Sequence, residues 1–141
     1  MSYTKIWIHC VWTTANRHPF LTENIRPDIF QHILENSKNK EIYIDCINGY
    51  FEHIHCLISL KRNQNVAECL QLLKGESSFW INKNNICSGK FSWQDDYFAV
   101  SVSHSQVLVV RDYINRQEEH HKKTTFNQEY RAFIEKYGFK E

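Results

Sequence analysis

Two β-rich runs, Glu41 to Ile47 and Phe51 to Leu60, flank the dipeptide Asn48-Gly49, and no other feature restricts the fold as much. Asn and Gly both tolerate positive φ, so the dipeptide predicts a tight hairpin and an antiparallel pair of neighbouring strands. The rest of the chain arranges itself around that pair. Tyr3 to Thr13 alternates, with Ile6, Ile8, Cys10 and Trp12 on one side and Trp7, His9 and Val11 on the other, and reads as a strand. Thr22 is placed as the N-cap of a helix to about Ser37, with Ile25, Ile29 and Ile33 along its apolar stripe. Asn65 with Glu68 predicts a cap for a second helix carrying Leu70, Leu73, Ser77 and Trp80. Tyr97 to Ser103 alternates again. Ser103 with Gln106 predicts a third helix to about His121, and Thr125 with Gln128 a last one that stops at Gly138.

The order is β-α-β-β-α-β with two further helices. That places the chain in the α+β class, as a ferredoxin-like or RRM-like core with an antiparallel sheet and two helices on one face. The second sheet face is left for another element to cover, and the third helix is expected to supply that cover. No repeat, low-complexity tract or linker divides the 141 residues, so a single domain over 1–141 is expected.

Composition narrows the function classes. A hydrophobic content of 42% with 14% aromatics excludes a disordered chain. No apolar run approaches the ~18 residues of a membrane span. The N-terminus also lacks the charged and apolar regions of a signal peptide, so a cytoplasmic protein with no membrane partner is expected. The five cysteines, odd in number and without a C-x-x-C pair, are expected to act as small buried hydrophobes. A net charge of +1 gives no strong basic footprint of the kind nucleic-acid binders carry.

Chemistry concentrates in two places. In His53-Ile54-His55 the histidines share one strand face, at a spacing of roughly 6.6 Å that lets two imidazoles converge on one metal ion. Ile54, Cys56 and Ile58 take the other face, which should pack under the first two helices. On the third helix, Tyr113 and Gln117 lie only about 40° apart and off the apolar stripe of Val107, Val110 and Ile114. Docking of that stripe would aim both toward the histidines. Neither motif is specific alone: a histidine pair on a half-exposed strand is commonly a surface feature, and a helical tyrosine commonly packs its ring.

Taken together, the sequence resembles the single-tyrosine HUH transposases of small bacterial insertion sequences and their relatives, the REP-associated tyrosine transposases. The resemblance runs through His9-Cys10-Val11-Trp12, His53-Ile54-His55, Leu73-Lys74-Gly75-Glu76-Ser77-Ser78 and Trp93-Gln94. It continues through Phe98 to Ser103, Tyr113-Ile114-Asn115-Arg116-Gln117, Glu119-His120-His121-Lys122-Lys123 and Thr125-Phe126. It implies a DNA transposase that cleaves and rejoins single-stranded DNA at hairpin-bearing element ends through a 5′-phosphotyrosine. Tyr113 would be the nucleophile, and His53, His55 and Gln117 the ligands of a divalent metal, Mg²⁺ or Mn²⁺. Lys74, Arg116, Lys122 and Lys123 would contact DNA, His9 could support the histidine pair, and two copies would cooperate as a homodimer. Two other readings stand beside it: a domesticated or inactive relative that binds hairpin DNA, and an RRM-like module that stacks single-stranded RNA on Trp7, Tyr43 and Phe51.

Overall fold

A computed structural model describes residues 1–140. Its elements are β1 (Ile6–Thr13), α1 (Arg26–Asn39), β2 (Tyr43–Gly49), β3 (His53–Leu60), α2 (Val66–Lys83), β4 (Phe98–Val102), α3 (Val107–Asn115), α4 (Gln117–His121) and α5 (Phe126–Tyr137). Short 3-10 turns cover Ala15–Arg17 and His104–Gln106. The four strands form one antiparallel sheet in the order β2-β3-β1-β4. This is the expected ferredoxin-like core.

Strand alternation decides the layers. Ile8, Cys10 and Trp12 of β1 and Ile54, Cys56 and Ile58 of β3 face α1 and α2, where they meet Ile29, Ile33, Leu70 and Leu73 in the main core. Each fully buried aliphatic side chain there contributes about 2 kcal/mol. All five cysteines are free, and four of them are buried. The opposite face holds a smaller cluster of Trp7 and Leu57 from the sheet with Val107 and Ile114 from α3. No helix among the described residues is long and apolar enough to cross a membrane.

The hairpin forms, but not with its turn at Asn48-Gly49. Both residues remain in the ladder, Asn48 opposite His55 and Gly49 opposite Ile54, and the chain reverses over residues 50–52. Gly49 is needed for closeness rather than for positive φ: a Cβ there would overlap the carbonyl oxygen of His53. The N-cap expected at Thr22 is likewise displaced. The Thr22 hydroxyl bonds Asn24 Oδ1 at 2.6 Å, and α1 begins at Arg26 with Pro27 in its first turn. Proline suits that position because it has no N–H to leave unpaired.

Two of the three remaining caps form where expected. Asn65 Oδ1 accepts the Glu68 N–H at 2.9 Å, and Thr125 with Gln128 makes a full capping box. Gly138 ends α5 at φ 68°, in the left-handed region. The expected third helix is divided. Ser103 turns its hydroxyl to Ser105 instead of capping, and a break at Arg116 (φ −103°, ψ 22°) separates α3 from α4.

Candidate active site

β3 carries His53 and His55 on the face turned away from α1 and α2, and α3, α4 and α5 close over it. Both histidines have no exposed surface, and Gln117 is equally enclosed. The half-exposed strand face allowed by the sequence is therefore a sealed one.

Each imidazole is held from behind. His53 Nδ1 lies 2.6 Å from Glu52 Oε1, and His55 Nδ1 lies 2.9 Å from His9 Nε2. Those contacts orient both rings with Nε2 inward, as the outer partners of metal-ligating histidines do. Burial and the neighbouring His55 push the His9 imidazole down to about 3, so this partner is neutral. Burial also lowers His55, to about 4, against the opposing pull of Glu129. Neutral imidazoles are the form that binds metals.

The inward nitrogens meet two groups. His53 Nε2 is 3.0 Å from Gln117 Oε1, and His55 Nε2 is 3.0 Å from Glu129 Oε1. Gln117 thus reaches the histidine it was expected to join, although it opens α4 rather than continuing α3. Two ties hold it there. Asn48 Nδ2 donates to the Ile114 carbonyl at 2.9 Å, and buried Arg26 pairs with Glu118 at 2.8 Å. Tyr113 arrives from the end of α3, with its ring centroid 5.6 Å from that of His55, and its hydroxyl donates to Glu129 Oε2. Burial and the adjacent Glu129 carboxylate raise the phenol above its ordinary range.

Glu129 is the residue that sequence reasoning missed. It projects from α5, is 3% exposed, and receives His55, Tyr113 and His121 together. Burial pushes its carboxyl up, but hydrogen bonds from His121 and His55 outweigh it and hold the group well below the usual carboxylate range. Its one sequence signal is position: an acidic residue three after Phe126 and one before Tyr130, within the apolar stripe of the last helix. His53, His55 and Glu129 could hold a metal ion, their ligand atoms all lying within 4.8 Å of one another. His121 joins from the end of α4, its Nδ1 at 2.8 Å from the Thr124 carbonyl and its Nε2 at 3.3 Å from Glu129 Oε1. His120 Nε2 lies 3.2 Å from Glu129 Oε2 but lacks hydrogen-bond geometry.

The basic residues lie apart from this centre. Lys74 is on α2, across the sheet, where its ammonium is bound by the carbonyls of Gln94 at 2.7 Å and Asp95 at 2.9 Å. It braces the segment leading into β4. Arg116 is exposed and pairs with Asp112 at 3.0 Å, and Lys122 and Lys123 are exposed beyond α4.

Comparison with known proteins follows the same lines. A family model described as "Transposase IS200 like" matches residues 2–117. No curated protein sequence matches the chain. Among solved structures, a Deinococcus radiodurans protein assigned as a transposase superposes with a TM-score of 0.65 at 17% identity, covering 82% of this chain and 93% of that one. A REP-associated tyrosine transposase bound to a REP hairpin superposes with a TM-score of 0.61 at 17% identity, covering 86% and 72%. These two likenesses establish the fold. With the family match extending from the first strand to Gln117, the chain belongs to the IS200-like family of DNA transposases.

Proposed function

We propose that the protein cleaves and rejoins single-stranded DNA at hairpin-bearing ends, with Tyr113 as nucleophile and a divalent metal at His53, His55 and Gln117. The observation that carries this reading is the convergence, inside one chain, of a sealed histidine pair, a glutamine and a tyrosine on one carboxylate. The donor set suits the ion: two oriented imidazole nitrogens with an amide and a carboxylate oxygen match Mn²⁺, or Mg²⁺ where it is abundant. When bound, the ion supplies Lewis-acid polarisation of the scissile phosphate.

The chain's own groups do the rest. Tyr113 Oη attacks phosphorus, the bond to the 3′ oxygen breaks, and the product is a 5′-phosphotyrosine with a free 3′-hydroxyl. The phenol proton has Glu129 as its hydrogen-bond acceptor. The linkage conserves the energy of the phosphodiester, so attack by a 3′-hydroxyl rejoins the strand without a nucleotide cofactor. His9 and Glu52 hold the imidazoles in place. Arg116, Lys122 and Lys123 contact phosphates along the strand, and Lys74 steadies the segment before β4. One tyrosine per site, with Leu108 and Val109 exposed on α3, supports pairing of two copies on two DNA ends.

The test is cleavage of hairpin-forming single-stranded oligonucleotides drawn from the DNA flanking the gene. Wild type with Mn²⁺ is expected to cut at one site. EDTA or His53→Ala should lower the rate at least about a hundredfold, as loss of a metal ligand does. Equal cutting in EDTA would remove the metal from the account.

A further inference from the structure

A second recess opens beside the histidines, between the 3-10 turn after β1, the start of β4 and the face of α5. It has a volume of about 660 Å³. Phe126 joins the two places: its ring stacks against that of His53 with centroids 4.3 Å apart and planes inclined by 28°, and it also lines the recess. Tyr97, Phe98 and Tyr130 supply three more aromatic rings, and Gln94 and Asp96 supply polar groups.

Arg17 is placed over the aromatic wall at some cost. Its guanidinium carbon sits 5.0 Å from the Phe126 ring centre and 5.1 Å from that of Tyr130. Its hydrogen bond is a long one, 3.4 Å to Asn127 Oδ1, and no carboxylate among the described residues lies within ion-pair distance of it. Arg17 and Asn16 before it both have φ of 55°, a conformation that asparagine tolerates and arginine disfavours. Strain of this kind persists where the surroundings enforce it and concentrates at ligand-binding segments. The Asn16 N–H is in turn held by Gln94 Oε1 at 3.2 Å, across the recess.

We infer that this recess binds one unstacked nucleobase of the single-stranded DNA, next to the nucleotide whose phosphate lies at the histidines. Flat aromatic faces with an unpaired guanidinium are the surfaces on which proteins stack single-strand bases. The recess lies within the size range of small-ligand pockets and combines an apolar wall with a few polar groups that can read a base edge. Aromatic stacking holds any base; Gln94 and Asp96 give the pocket a preference among them. The wall shared through Phe126 makes the pocket part of cleavage-site selection. The inference rests on the single-strand DNA reading above.

The test measures affinity by fluorescence anisotropy in the Tyr113→Phe background, which keeps the strand whole. The probes are hairpin oligonucleotides from the flanking DNA, with each nucleotide of the single-stranded flank replaced in turn by an abasic site. One flank position is expected to weaken binding about tenfold when its base is removed, a typical contribution for one base stacked on aromatic side chains. Tyr130→Ala should weaken the intact probe by a similar factor and make it insensitive to that abasic site. Arg17→Asn is a second variant that suits the left-handed backbone and should show the same coupling without disturbing the fold. If the abasic penalty is the same in both variants as in the parent, the pocket assignment is overturned while the transposase reading stands. If no probe binds at all, the single-strand reading fails and the pocket fails with it.

Discussion

Glu129 concentrates more contacts than any other side chain of the site. Four histidines and the tyrosine surround it, and hydrogen bonds keep its charge where burial alone would not allow it. A buried carboxylate so placed stabilises the fold only while its partners remain, because an unpaired buried charge is costly. It also adds an oxygen donor to a centre otherwise made of two imidazoles and an amide. Replacing it with glutamine keeps the shape and removes the charge. Glu129→Gln is expected to weaken Mn²⁺ binding by about tenfold to a hundredfold in calorimetry, the range found when a supporting carboxylate of a metal site is lost. Unchanged affinity would leave Glu129 as a partner of the metal-free histidines only. This residue was illegible in the sequence because it lies 74 positions from His55, on an element with no motif in common with β3. The histidine pair was legible from its period of two on one strand; Tyr113 and Gln117 read as one helix face, although the break at Arg116 places them on α3 and α4.

The elements that bring these residues together differ in how far local sequence determines them. The caps at Asn65 and Thr125 follow from side chains three residues apart, and both form. The division of the expected third helix does not, because what fixes the two halves comes from elsewhere: Asn48 holds the end of α3, and Arg26 holds α4 through Glu118. The hairpin was recognised for a reason that the structure replaces. Gly49 allows β2 to pass close against the start of β3, where the His53 backbone leaves no room for a side chain. Gly49→Ala is therefore expected to displace that backbone and to lower unfolding stability by about 2 kcal/mol, a typical cost of overpacking. Guanidinium denaturation measures the loss of stability, and Mn²⁺ affinity reports any movement of His53. A variant as stable as wild type, binding metal equally, would show that the strand start accommodates the methyl group.

Across the whole molecule the sheet separates two tasks. Its α1/α2 face is a conventional apolar core. Its other face combines a small apolar cluster with the buried histidines and is covered by three helices that carry Tyr113, Gln117 and Glu129 in turn. A net charge of +1 is small for a protein that handles DNA. The central claim is that Tyr113 forms the covalent bond with DNA at this covered face. It is tested by incubating the protein with its flanking-DNA hairpin and Mn²⁺, then digesting and mapping the DNA-linked peptide by mass spectrometry. A single adduct is expected, a 5′-phosphate on Tyr113 that is absent from Tyr113→Phe. An adduct of equal yield in that variant, or one mapped to another residue, would contradict it.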